Sequence, residues 1–144
     1  MSVTPSQTVG PYFQIGLIDE HWTKMASGSG ERIAIEGTVF DADGIPITDA
    51  MVEIWQPDRG AFGRFAADPA SGRFSFECIR PAAVGDGAPH LCVGVFARGL
   101  LKRLYTRIYF DGDPANATDP ILTLVPAERR PTLVAARTDP GRYR

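Results

Sequence analysis

"RIAIEGTVFDADGIPITDAMVEIWQ" (Arg32–Gln56) alternates apolar and polar residues, pauses, and alternates again. Ile33, Ile35 and Val39 fall on one side of the first run, and Ile54 with Val52 or its neighbour Met51 on one side of the second. A period of two is the signature of a half-buried strand, because successive side chains point to opposite faces. Between the runs, "DADGIP" carries the Asp, Gly and Pro that turns use for side-chain hydrogen bonds, positive φ and a fixed φ. The stretch predicts two strands separated by a turn.

The same pattern continues downstream. "GRFSFECI" alternates around Phe74, Phe76 and Cys78 after the turn cluster "ADPASG". "HLCVGVFARG" places Leu91, Val93 and Val95 on one face. "RLYTRIYF" sets Leu104, Thr106, Ile108 and Phe110 against Arg103, Tyr105, Arg107 and Tyr109. "DGDPANATDP" is a loop or one helical turn, "RRPTLVAAR" a half-buried segment, and "GRYR" a strand just beginning. Upstream, "IGLIDEHWTKMA" predicts a short helix with Ile15, Ile18, Trp22 and Met25 near one face, broken by "SGSGE". There is no long helical pattern and no internal repeat. Short strands with Gly and Pro punctuation predict an all-β sandwich over residues 31–144, preceded by an arm and short helix over residues 1–30.

Bulk properties narrow the function class. The 144 residues have the length of one domain, and 44% hydrophobic with 22% charged residues is ordinary globular composition. A net charge of -2 gives no electrostatic footprint for nucleic acid. No apolar run is long enough to span a bilayer, and no signal-peptide pattern opens the chain, which predicts a cytoplasmic protein. Cys78 and Cys92 sit in apolar stretches outside any CxxC pair, so both are expected as buried reduced thiols.

A protein-held zinc or non-haem iron needs three or four converging His, Cys, Asp or Glu ligands. The only histidines are His21, which reads as structural, and His90, where a loop enters a strand beside Cys92. A Ser-His-Asp set has no nucleophile elbow to support it, and no P-loop or GxGxxG occurs. The chain alone shows no complete catalytic set. Arg98, Lys102, Arg103 and Arg107, interleaved with Tyr105 and Tyr109, read as a solvated face with tyrosines half-covered by arginine stems. Arg98 differs: in "FARG" it stands at a strand end beside a turn glycine, well placed to hold a carboxylate bidentately.

One stretch fits neither strand nor helix. "VTPSQTVGPYF" (Val3–Phe13) carries aromatics that a disordered tail has no use for, so it predicts an extended arm packed on something. "TPSQTVGPYF", "IGL", "VEIWQ", "FGR", "APHL", "FARG" and "TRIYF", in this order, resemble the intradiol ring-cleaving ferric dioxygenases from Thr4 to Arg144. The chain is most similar to the α-type subunits of heteromeric members. The resemblance implies a prealbumin-like β-sandwich with an N-terminal arm. It also implies a homologous β-type partner, in an (αβ)n assembly, that binds Fe(III) through two tyrosines and two histidines. Here the His-x-His of that pattern is matched by His90 and Cys92, and one ligand tyrosine by Val84 in "RPAAV". No metal is therefore expected in this chain, nor activity without its partner.

By the same resemblance, Thr8, Gly10, Pro11 and Tyr12 line the substrate pocket and Arg98 meets the substrate carboxylate. Gly10 lets backbone approach a planar ring closely, and Tyr12 offers a flat face with a polar tip. The implied reaction opens 3,4-dihydroxybenzoate with O2 between its hydroxyl-bearing carbons, giving 3-carboxy-cis,cis-muconate in the β-ketoadipate route. The segments after Trp55 and Pro81 are shorter than the family pattern, which also runs on past "GRYR". A non-catalytic transthyretin-like or carboxypeptidase-regulatory-like binding module is the alternative, since Gly37, Asp41, Gly44, Pro46 and Ala50 also suit such sandwiches. The arm opposes it. A self-sufficient catechol or hydroxyquinol dioxygenase is opposed by Cys92 and Val84.

Overall fold

The two strands read from Arg32–Gln56 do form, and they lie in different sheets. The computed structural model describes residues 3–8, 10 and 12–144. The strands are β1 (Arg32–Thr38), β2 (Met51–Gln56), β3 (Ala61–Ala66), β4 (Arg73–Ile79), β5 (His90–Phe96) and β6 (Leu104–Phe110), then the short β7 (Val134–Ala135), β8 (Arg137–Asp139) and β9 (Arg142–Tyr143). One sheet has the order β4-β1-β9-β8 and the other β3-β2-β5-β6-β7. The "DADGIP" turn carries the chain between them. Asp41 Oδ1 accepts from the N–H groups of Asp43 (3.0 Å) and Ile45 (2.8 Å), and Gly44 takes φ +78°.

The alternation decides what each sheet buries. Ile33, Ile35, Phe76 and Cys78 face inward from the first sheet, and Val52, Ile54, Phe65, Leu91, Val93 and Phe110 from the second. Phe65 stacks on Phe76 across the interface, centroids 4.8 Å apart. Each such side chain contributes about 1.5–3 kcal/mol by leaving water. "GRYR" becomes β9, which lies parallel to β1 and antiparallel to β8 and buries Tyr143.

Three expectations need correction. Strand β3 was not legible because its inward positions include Gly63, which erases the apolar alternation. A Cβ there would fall 2.7 Å from Met25 Cγ and from the Phe65 ring. The "IGLIDEHWTKMA" helix does not run through. Instead α1 (Tyr12–Gly16) is followed by a 3-10 turn over Glu20–Thr23, which Asp19 caps by accepting from His21 N at 2.9 Å. Phe13 and Met25 are buried while Ile15 and Trp22 stay exposed, so packing of these two anchors overrides the helical period. Of the two free cysteines, Cys78 is buried but Cys92 only half-buried. Burial, with the Asp58 charge adding to it, pushes the Cys78 thiol up to about 12. The β2–β3 connection (residues 57–60) is a tight turn with Gly60 at φ +62°. No helix among the described residues is long and apolar enough to cross a membrane.

Candidate functional site

The N-terminal arm is held against the turn that follows β5. Thr8 Oγ1 accepts from the backbone N–H of Gly99 at 3.2 Å and from that of Gly10 at 3.4 Å. Gly10 (φ +62°) and Gly99 (φ +86°) both occupy the left-handed region, which leaves a side chain little tolerance at either place. Two further contacts seat the arm. Phe13 is buried beside Phe96, ring centroids 6.3 Å apart, and Gln14 Nε2 donates to Ala67 O (2.7 Å) and Thr48 O (3.1 Å). A cavity of about 200 Å³ lies under the arm, with Gln7, Phe13, Leu17, Phe96, Leu100 and Arg103 among its walls.

Arg98 immediately precedes Gly99, so the structure brings Thr8, Gly10 and the Arg98 turn together. The Arg98 side chain is exposed, with Nε 3.5 Å from Asp49 Oδ1. That oxygen is buried and has no hydrogen-bond partner among the described residues, so the carboxylate positions the guanidinium by charge. Tyr12 stands exposed on α1 with its ring over Gly16, where a Cβ would meet Tyr12 Cζ at 2.7 Å. Pro11 lies outside the described residues.

Val84, His90 and Cys92 form a second group. His90 and Cys92 share the outer face of the five-stranded sheet, opposite Tyr109 and Arg107 on β6. His90 is buried, its Nδ1 2.8 Å from Ala88 O. A carbonyl only accepts, so Nδ1 carries the proton and Nε2 is left as the one nitrogen able to ligate. Val84 belongs to a turn closed by Gly87 N–H donating to Val84 O at 3.1 Å. A Cβ on Gly87 would sit 4.0 Å from His90 Cε1, so this turn packs beside the histidine.

These residues do not fit a ferric ion. Val84 offers no donor atom, Cys92 replaces the second imidazole, and no group of three or more His, Cys, Asp or Glu converges among the described residues. One imidazole nitrogen does not make a site for a metal that needs several protein ligands.

Asp119 is the polar centre that sequence reading missed. It is fully buried, and Oδ1 accepts from Leu122 N (2.6 Å), Ile121 N (2.9 Å) and Tyr109 OH (2.9 Å), while Oδ2 accepts from Ala88 N (2.9 Å). Burial pushes its carboxyl up, but the N–H groups and the phenol outweigh this and hold it below the usual carboxylate range. Burial, together with the Asp119 bond, raises the Tyr109 phenol against an opposing pull from Arg107. The available signal was "DPIL": an Asp ahead of a Pro and an apolar run favours a side-chain-capped turn. A second centre joins Arg64 Nε (2.8 Å) and Arg103 Nη1 (3.1 Å) on Glu53, and Arg103 lies 4.4 Å over the Tyr105 ring. It is the guanidinium that lies over Tyr105, which stays exposed, while Tyr109 is fully buried, so the expected solvated face with half-covered tyrosines is met at neither ring.

Comparison with known proteins places these features. Residues 9–140 match the dioxygenase family. The chain is 42% identical to the protocatechuate 3,4-dioxygenase alpha chain of Burkholderia cepacia, covering 96% of this chain and 86% of that one. The aligned span of 172 positions exceeds the 144 residues here, so at least 28 (172 minus 144) positions of that relative face gaps. The beta chain from the same organism is 32% identical over 84% of this chain and 64% of its own length. Among solved structures, the dioxygenase domain of a carbohydrate-binding fusion from a cellulolytic Streptomyces superposes with a TM-score of 0.64 at 25% identity, covering 99% of this chain and 94% of that one. With a matching sandwich and a family match that spans nearly the whole sequence, this chain belongs to the intradiol dioxygenase family, the family of the protocatechuate 3,4-dioxygenase chains.

Proposed function

We propose that the chain is the α-type subunit of a heteromeric, cytoplasmic protocatechuate 3,4-dioxygenase. It shapes the substrate pocket while a homologous β-type subunit holds the non-haem Fe(III) of this family. The observation that carries the proposal is the combination of close similarity to an alpha chain with a ligand set reduced to one imidazole, His90. A chain of this family that lacks the metal ligands needs a partner to act on its substrate. Similarity to both an alpha and a beta chain supports a heteromer of related subunits.

In this reading, residues 1–30 serve as the arm and residues 31–144 as the sandwich. Thr8, Gly10, Pro11 and Tyr12 contribute pocket wall, and Arg98 receives the carboxylate of 3,4-dihydroxybenzoate. The chain's own chemistry is binding and orientation. A guanidinium holds a carboxylate with two parallel charge-assisted bonds, which fixes the direction of a planar ring as well as its position. Asp49 keeps the guanidinium at the pocket rim from one side. The Thr8–Gly99 bond couples arm to arginine turn, so the wall and the anchor move together. Held in this way, the two hydroxyl-bearing carbons are presented to the partner for cleavage by O2, the orientation contribution that lowers barriers.

Co-expression with the homologous β-type chain, followed by native mass spectrometry and iron analysis, tests the proposal. The expected result is a complex with equal numbers of the two chains, one iron per pair, and cleavage of 3,4-dihydroxybenzoate to 3-carboxy-cis,cis-muconate. Stoichiometric iron on this chain alone would overturn it, and failure to associate would leave the binding-module alternative standing. Thr8→Val in the complex removes the acceptor of the Gly99 and Gly10 N–H groups, of which the 3.2 Å bond to Gly99 ties the arm to the arginine turn and is worth about 1 kcal/mol. KM for 3,4-dihydroxybenzoate should rise about fivefold with the unfolding midpoint unchanged; an unaltered KM would separate the arm from the pocket.

A further inference from the structure

The outer face of the five-stranded sheet carries a feature that the proposed function does not use. A cavity of about 370 Å³ lies over β5 and β6, walled by Cys92, Tyr105, Arg107, Tyr109, Ile121 and Leu133. Its size falls at the lower end of small-molecule sites. Tyr105 and Ile121 are exposed, so apolar surface here is left facing the opening. Arg107 is half-buried among these groups. It donates to Tyr109 OH at 3.2 Å, and no carboxylate lies within ion-pair distance of it among the described residues.

A guanidinium has five N–H donors in a planar fork. Only one hydrogen bond from Arg107 is present among the described residues. Asp119, the nearest anion in the network, is reached through the Tyr109 phenol and is already saturated by three backbone N–H groups and that hydroxyl. Arg103 does not compete for an anion in the same way, since it stacks on Tyr105 and pairs with Glu53. A half-buried cation with free donors, beside aromatic and aliphatic walls, selects for a ligand that is anionic at one end and flat and apolar at the other.

We propose that this cavity is a ligand site for small aromatic carboxylates, with Arg107 taking the carboxylate and Tyr105, Ile121 and Leu133 contacting the ring. It does not depend on the pocket role given to Arg98. Cys92 and Phe96 are four residues apart on β5, about 13 Å along the strand, and Arg98 lies beyond that. The presence of a single cation in the lining also fixes the class. One guanidinium suits a monocarboxylate, and no second cation lines the cavity to favour a phosphate or dicarboxylate.

The test is fluorine NMR on the full chain, titrated with 4-fluorobenzoate and, separately, with the uncharged 4-fluorophenol. Saturable broadening of the benzoate signal is expected, at least about tenfold weaker for the phenol. Arg107→Gln should weaken benzoate binding about tenfold, and Arg107→Lys, which keeps the charge but not the fork, less than that. In an Arg98→Ala background the Arg107-dependent part of the binding should remain, which separates this site from the proposed substrate pocket. Circular dichroism confirms that each variant is folded. Equal binding of benzoate by Arg107→Gln, equal binding of phenol and benzoate, or no saturation by about 10 mM, where the free energy falls below about 2.7 kcal/mol, overturns the proposal.

Discussion

Replacing Arg98 with alanine in the complex with the β-type chain should raise KM for 3,4-dihydroxybenzoate about 30–100-fold, and KM for plain catechol no more than about threefold. A pair of charge-assisted hydrogen bonds to a carboxylate is worth about 2–3 kcal/mol, and each 1.4 kcal/mol is a factor of ten. Catechol has no carboxylate and so loses only incidental contact with the side chain. The split between kinetic constants reports what the arginine does. Loss of uniform binding appears in KM alone, whereas loss of orientation lowers kcat as well, because misplacement of the ring by even about 1 Å is costly. The expected pattern is a large rise in KM with a smaller fall in kcat. Arg98→Lys should recover part of KM and little of the orientation, since a point charge does not fix a planar group. Steady-state kinetics on both substrates is the measurement. Equal effects on catechol and 3,4-dihydroxybenzoate would remove the carboxylate role and leave Arg98 paired with Asp49 for purely structural reasons.

Asp119→Ala should cost about 3–5 kcal/mol of folding free energy at neutral pH. The substitution leaves three backbone N–H groups (Ala88, Ile121 and Leu122) and the Tyr109 hydroxyl without their acceptor in a buried place. Each orphaned donor costs about 1–3 kcal/mol, reduced where relaxation admits water. The wild-type chain should show the same group in its acid limb. The Asp119 carboxyl is depressed in the folded state, so its contribution is fully present above the unfolded value of about 3.9. That contribution is lost as pH falls through the lower folded value. Urea unfolding from pH 7 down to pH 2 should therefore show a decline below about pH 4 that Asp119→Asn flattens, because the amide does not titrate. The raised phenol of Tyr109 acts at the other end. Its contribution is present below about pH 10 and lost as pH rises through the higher folded value. A loss under about 1 kcal/mol for Asp119→Ala would mean that the Ala88–Leu122 corner repacks freely and that the network is incidental.

The legible part of the candidate site was chemical, and the illegible part was geometric. Arg98 stood out because a guanidinium at a strand end beside Gly99 has few structural duties, and the structure shows the side chain exposed there. The departure from the family's ligand pattern was equally plain, because Val84 carries no donor atom and Cys92 carries sulfur in place of an imidazole nitrogen, whatever the fold. The surroundings of Asp119 were illegible for the opposite reason. Nothing in "TDPIL" says that its carboxylate will be closed over by Ala88, which is 31 residues away, or by a tyrosine from β6. The helix over Ile15–Met25 failed because four apolar residues at suitable spacing do not state which of them the core will take. Phe13 and Met25 were taken, and Ile15 and Trp22 were left at the surface.

By itself the sequence determined the strand character of β1, β2, β4, β5 and β6, the inward faces of those strands, and which donor atoms stand at Val84, His90 and Cys92. Those properties are written in local periodicity and in the donor atoms of single residues, both readable without knowing what lies opposite. Only the tertiary structure decided that β1 and β2 belong to facing sheets, that "AFGRFA" is a strand with Met25 filling the space above Gly63, and that Thr8 reaches Gly99. Each of these depends on groups far apart in the chain competing for the same space or the same donor. That competition is settled by packing and hydrogen-bond satisfaction over the whole domain, and no local pattern encodes it.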